Sequence, residues 1–436
     1  MSITNHNNQR LRVLGIMFLL LLVVSGCNRS SLDSPHIKMR PSLSEPVRVS
    51  SGDADAAEPA IAASPDGSFY VTWVDHGPKS QADVMIARFD ANGRMQGSPV
   101  KVNAEAGTAT AWRGDPPTVA VAPDQTVFVG WTARLESETE SGHATNLYLS
   151  SSRDQGQTFS APVKVNDDTK PAVHGMHSLA IGTDGRVYLA WLDERNVNPM
   201  KDMKMNASSS GHHMESNREL FLASSTDGGH TFSSNQRIAT DVCPCCKTAL
   251  AINSDGRIYV SWRQVLPGDL RHIAVSSSPD QGRTFTSPVI VSDDQWMLAG
   301  CPVSGSTLSV DKDGTLSVLW YSAGKNGETG LYWCQSKDHG ATFGARRLVA
   351  GGFTRGTPVL LVTNRGFTGV WESNDNGKAK VLSAKLDTRA TSSDSFMLAS
   401  DAELPAAAAT KPGMVVAYMA KSAQHQAVWV VSESFD

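Results

Sequence analysis

A turn residue, usually Asp, followed seven positions later by an aromatic one recurs along the chain and constrains its fold more than any other feature. The pairs are Asp66 and Trp73, Asp124 and Trp131, Asp184 and Trp191, Asp255 and Trp262, Asp313 and Trp320, and Asn364 and Trp371. A weaker copy, Lys411 and Tyr418, ends the series. Around each turn the text reads strand–turn–strand, as in the stretch from Pro59 to Trp73. A repeat of roughly 50–60 residues built from short strands implies radial β repetition, because no unit can bury both faces alone. The expected fold is all-β: a β-propeller, with seven blades preferred and six the alternative.

At 436 residues the chain has the length of two or three ordinary domains, but a propeller of this size is one closed domain. The formal net charge of −4 leaves no basic excess to neutralise phosphates, so no nucleic-acid partner is expected. Near the N-terminus, Arg10 and Arg12 precede an apolar run, Val13 to Val24, that is too short for a comfortable membrane span. The run ends in Val24-Ser25-Gly26-Cys27, which resembles a bacterial lipobox. That resemblance implies a lipoprotein signal peptide over residues 1–26 and lipidation of Cys27. An ordinary signal peptide with a chance cysteine is the alternative. Residues 27–45 then form a polar tether, and residues 46–436 the propeller. In a Gram-negative cell, resemblance to known sorting rules and the lack of Asp at position 28 imply an outer-membrane anchor facing the periplasm; a monomer is expected.

A second repeat lies within the first. Ser152-Arg-Asp154-Gln-Gly156-Gln-Thr158-Phe159 recurs as Ser225 to Phe232, Ser278 to Phe285 and Ser336 to Phe343, with a degenerate copy at Phe89 to Gly93. Asp and Gly suit a tight turn, the hydroxyls satisfy its backbone, and Phe plugs the blade. The pattern S-x-D-x-G-x-T-F resembles the Asp-box (BNR repeat) of sialidases and related propellers, where it is structural. A third piece, Pro99 to Asn103, Pro162 to Asn166 and Pro288 to Ser292, reads as the outer strand of each blade. Pro46 to Ser50 is the same piece placed before the first blade, while the last unit lacks it. The N-terminal segment is therefore expected to close the last blade.

Functional residues belong on the rim where inner strands begin, since loops on a rigid scaffold carry function. Three consecutive blades aim soft ligands there. His174, Met176 and His177 enter the third, Cys243, Cys245 and Cys246 the fourth, and Cys301 the fifth. The longest insertion adds Met200, Met203, Met205, His212, His213 and Met214. Sulfur ligands favour Cu(I), and imidazole suits copper and zinc alike, so copper is the expected metal and zinc the second candidate. C-x-C-C is not a standard zinc-ribbon spacing. The main alternative is a structural disulfide, with Cys243–Cys301 the natural candidate. Five cysteines remain after Cys27, so at least one is left over, and Cys334 reads as a buried structural thiol.

The sialidase resemblance implies a competing site. An arginine clamp for a substrate carboxylate would fall on Arg113, Arg263 and Arg355, with Tyr321 and Glu372 as the nucleophile pair and Asp75 as acid/base. That family's Arg-Ile-Pro motif has no counterpart here; the equivalent stretch is Asp55-Ala-Ala-Glu58-Pro59. Two functions compete: an envelope lipoprotein binding a soft metal, and an exo-sialidase-type glycoside hydrolase acting on sialic acid or a related small acidic glycan. A protein- or glycan-binding propeller is a third.

Overall fold

The computed structural model describes residues 38–39, 42–135, 144–197, 218–298, 302–375, 377–387, 395–422 and 424–435. Apart from one short 3-10 turn at Pro78–Ser80, the regular elements among these residues are strands. They pair into antiparallel units of four, and Lys38–Met39 adds a fifth, parallel strand beside Phe396–Ser400 in one of them. The first is Asp55–Ala63, Phe69–His76, Ala82–Phe89 and Val100–Lys101. Corresponding units begin with Thr118–Val121, His174–Ile181, Ala249–Ile252, Ser306–Val310, Thr354–Thr363 and Ala402–Ala409. A pairing of Val242 with Gln264 fuses the third and fourth units into one sheet. The last unit takes its outer strand, Val47–Arg48, from the N-terminal side of the chain, where Val47 pairs with Val430. Each innermost strand lies against the next, and Ala402–Ala409 meets Asp55–Ala63, which closes the ring. The architecture is that of a propeller.

The seam between adjacent units is apolar, and the aromatic of the sequence repeat fills it. Trp73 packs between the last unit and the first, among Val71, Val415 and Val428. Trp131, Trp191, Trp262, Trp320, Trp371 and Tyr418 occupy the six following seams in order. A buried indole N–H needs an acceptor. The residue two positions on supplies it in three units: Asp75 at 2.6 Å, Asp193 at 2.8 Å and Gln264 at 2.7 Å. Trp320 instead donates to Asp294 at 2.7 Å.

Hairpin turns follow the sequence in the first four units and shift in the next two, where in the sixth Thr363 Oγ1, not Asn364, accepts from Arg365 N–H. Asp66, Asp124, Asp184 and Asp255 each accept from the N–H two residues on. In the fifth unit Asp311, not Asp313, holds the turn, accepting from the N–H groups of Asp313 and Thr315. The four S-x-D-x-G-x-T-F segments share one bonding scheme. In the third of them, Ser278 donates to Asp280 and accepts from Gly282 N–H, both at 2.8 Å. Thr284 donates to Asp280 through its N–H at 2.9 Å and its hydroxyl at 2.6 Å. The same atoms pair in the other three. Glycine is required at Gly229, where φ is +84° and a Cβ would lie 2.8 Å from Leu149. Phe159, Phe232, Phe285 and Phe343 pack against successive seams.

Two outcomes test this packing. Trp320→Ala should cost roughly 3–5 kcal/mol in a urea titration, because a filled seam becomes a cavity; a cost under about 1 kcal/mol would show the seams to be dispensable. In the turns, the Thr hydroxyl, with the Thr N–H and Ser hydroxyl, holds Asp154, Asp280 and Asp338 down at about 2, from 3.8, and Asp227 lower still. A depressed carboxyl stabilises the fold above its unfolded pKa, and that contribution is lost as pH falls through the folded one. Replacing all four with Asn should therefore flatten the fall in urea midpoint between pH 3.8 and about 2. An unchanged slope would place the acid sensitivity elsewhere.

Candidate metal and thiol site

The chain leaves the outer strand of the third unit, Gln236–Val242, and enters the inner strand of the fourth through Cys243-Pro244-Cys245-Cys246. Backbone and side-chain bonds pin this crossing. Cys243 N–H donates to Arg263 O at 2.8 Å, and Arg218 donates to Pro244 O at 2.6 Å. Just beyond it, the Thr248 hydroxyl donates to Met176 O at 3.0 Å. All three cysteines are buried, and their sulfurs lie within 4.8 Å of one another. Cys246 Sγ is 3.5 Å from Cys243 Sγ, which is 3.9 Å from Cys245 Sγ. Met176 belongs to the same core cluster.

The three sulfurs are not equivalent. Cys243 and Cys246 are free, whereas Cys245 is disulfide-bonded. This corrects the expected Cys243–Cys301 bridge on the Cys243 side, and it leaves Cys245 without a thiolate to offer a metal. Cys301 itself lies outside the described residues. The Cys246 thiol, donating to Cys243, holds Cys243 below the ordinary thiol range, with the Arg263 and Arg271 guanidiniums adding to it. Burial pushes Cys246 well above that range. Cys334 lies in the next seam, where burial pushes it up to about 12, so it is inert.

Arg263 is wholly buried. It donates to Ser304 O at 2.9 Å and to Tyr321 O at 2.9 Å, and its guanidinium lies 4.8 Å from the Trp296 ring centre. Among the described residues, Arg263 Nη1 and both Nε and Nη1 of Arg271 have no hydrogen-bond partner. Arg271 also pairs with Asp269 at 3.4 Å, and both guanidiniums favour the ionised form of the nearby Cys243 sulfur.

The structure places the remaining soft candidates as follows. His174 points Nε2 at Asp168 (3.2 Å) and Asp193 (3.4 Å), and its N–H donates to the Thr145 hydroxyl. His177 holds Asp115 at 2.9 Å through Nδ1, while its Nε2 is buried without a partner among the described residues. Neither ring joins the sulfur group. Met200, Met203, Met205, His212, His213, Met214 and Cys27 lie outside the described residues.

The alternative site does not gather around one opening. Arg113 and Arg355 line a cavity of ≈ 60 Å³ at the mouth of the ring, with Glu58 and Lys247. Arg113 is bonded to Glu372 and, at 2.7 Å, to Glu403; Arg355 reaches Glu403 at 3.9 Å. Burial raises the Glu372 carboxyl, with Arg113 opposing. Arg263 and Tyr321 do not line this cavity. Tyr321 is buried edge-on to Trp296 and Phe353, and Asp75 serves the Trp73 indole. Sugar pockets are several times larger than this cavity.

Sequence reasoning missed Arg271, Lys247, Asp115 and Glu403. Lys247 follows Cys246 directly, and burial pushes it down to about 8 with Asp115 opposing. Its position beside the cysteines was a signal that could have flagged it. Arg271 carried none, since only the hairpin pairing of Val265 with Arg271 brings it back toward Arg263.

No protein-family model and no curated protein matches this sequence. Solved structures do share its fold. A protein of unknown function from Dyadobacter fermentans DSM 18053 is 14% identical with a TM-score of 0.50, over 90% of this chain and 100% of that one. The Hadza microbial sialidase Hz136 is 13% identical with a TM-score of 0.51, over 87% of this chain and 66% of that one. An ulvan lyase of polysaccharide lyase family PL25 is 12% identical with a TM-score of 0.55, over 88% of this chain and 95% of that one. Identities this low establish a sialidase-like propeller fold and nothing about activity.

Proposed function

We propose that the protein is a cell-envelope lipoprotein, anchored through Cys27, whose propeller holds a soft transition metal at the Cys243 and Cys246 thiols. The observation that carries this reading is two free, buried thiols 3.5 Å apart beside a partly uncompensated guanidinium pair. Two thiolates and Cu(I) together carry one negative charge, which with Asp269 offsets the two guanidiniums, and a thiolate pair suits Cu(I) better than zinc, which prefers four closed ligands. Met176, in the same core cluster, is the thioether candidate of this proposal. Cys245 adds a third thiolate when its disulfide is open. In this proposal Met200, Met203, Met205, His212, His213 and Met214 are further candidate soft donors. Glycoside hydrolysis is the weaker reading, since Arg113 is committed to Glu372 and Glu403, and the cavity is small.

Elemental analysis of the purified protein, supplied with copper and zinc, tests the assignment. About one copper per chain is expected in the wild type. The double variant Cys243→Ser, Cys246→Ser should bind copper at least about a hundredfold more weakly, and Cys334→Ser should bind as the wild type does. Deleting residues 198–215 should weaken uptake with little change in thermal midpoint. Undiminished copper in the double variant would sink the thiol-pair site.

A further inference from the structure

Arg263 is a fully buried cation without a counterion. Its guanidinium donates to two carbonyls, Ser304 O and Tyr321 O, and faces the Trp296 ring. Among the described residues no carboxylate pairs with it, and its Nη1 has no hydrogen-bond partner. The second guanidinium of the seam, Arg271, is paired with Asp269 at 3.4 Å. An unpaired charge is costly to bury, so a cation kept in this position calls for a reason. Two short links tie it to the thiol pair. Cys243 N–H donates to Arg263 O at 2.8 Å. Ser304 is shared: its carbonyl accepts from Arg263 at 2.9 and 3.2 Å, and its N–H donates to the Cys246 sulfur.

We infer that Arg263 sets the metal selectivity of the thiol pair, its fixed positive charge favouring a monovalent soft ion over a divalent one. This inference rests on the metal site proposed above and adds the residue that discriminates. Softness alone leaves several ions eligible, because thiolates take Cu(I) and zinc alike. Charge separates them. Two thiolates with Cu(I) make a complex of charge −1, whereas two thiolates with Zn(II) make a neutral one. The guanidinium repels either ion, but the divalent one twice as strongly. Inside a seam closed to solvent that difference is poorly screened.

Arg263 acts here through space. A guanidinium carries five N–H donors and no lone pair to offer a metal, and it stays charged in any accessible pH range. Both ions displace the same two thiol protons, so thiol acidity cancels from the comparison. Arg271 contributes less, because Asp269 compensates its charge. The net surroundings of the pair, two guanidiniums and one carboxylate, carry one positive charge, which matches the monovalent complex and not the divalent one.

Paired affinity measurements on the full chain, purified in detergent and held without oxygen, test this. Cu(I) and Ag(I) serve as monovalent probes and Zn(II) and Cd(II) as divalent ones, each titrated against a chromophoric chelator. Arg263→Gln should lower the ratio of Cu(I) to Zn(II) affinity at least about tenfold, with the Ag(I) to Cd(II) ratio following. Arg263→Lys should restore most of the ratio, because it returns the charge without the planar fork. Lost packing alone would weaken all four ions together and leave the ratios in place. Asp269→Asn keeps the left-handed backbone of this partly exposed position, where φ is +58°, and should move the ratios the opposite way by freeing Arg271. Unchanged ratios in Arg263→Gln, or in Asp269→Asn where Arg263→Gln does not fold, would overturn the inference while the copper site stands. A wild type that binds no Cu(I) would instead remove the proposed site, and this inference with it.

Discussion

Everything in this ring depends on one aromatic side chain at each seam. A four-stranded sheet covers only part of its apolar surface, so each unit is stable only against its neighbours. The wide end of the wedge between two units must be filled by something large. Tryptophan does so at six seams and Tyr418 at the seventh. Filling a seam with indole carries a polar N–H into the core, which favours an acceptor beside it, though Trp371 Nε1 has none among the described residues. That need accounts for Asp75, which would otherwise read as a catalytic acid, and for Asp193.

The seam between the third and fourth units departs from this pattern. Its sheets are joined by the pairing of Val242 with Gln264, and its core contains three cysteines and Met176 among aliphatic side chains and Trp262. Two buried guanidiniums flank it. Arg271 is paired with Asp269 and Arg263 donates to Ser304 O and Tyr321 O, yet each keeps a guanidinium nitrogen without a partner among the described residues. The proposed metal site therefore lies in a seam rather than on the axis. The axial mouth, where loops converge, is filled by Arg113 bonded to Glu372 and Glu403.

Features that act over a few residues were legible in the chain. The turn–aromatic spacing, the S-x-D-x-G-x-T-F bonds and the edge-strand pieces are each set by hydrogen bonds or burial within one hairpin. The closing role of Val47–Arg48 was legible too, because a repeat with one piece too many at its start and one too few at its end has a single simple closure. Even locally there was a limit. Asp311 and Asp313 flank the same turn, and only its actual curvature decides that Asp311 accepts the bonds.

By itself, then, the sequence determined the all-β repeat, its closure, and the gathering of cysteines at the entrance to the fourth unit, since each follows from periodicity along the chain. Tertiary structure decided which cysteine is oxidised, which cations stand beside the thiols, and which arginines are spent in ion pairs. Arg113 meets Glu372 and Glu403 across 259 and 290 residues of chain. Sulfur contacts differ by less than half an ångström between 3.5 and 3.9 Å. No spacing rule encodes such separations, because they arise from how rigid sheets pack around a closed ring.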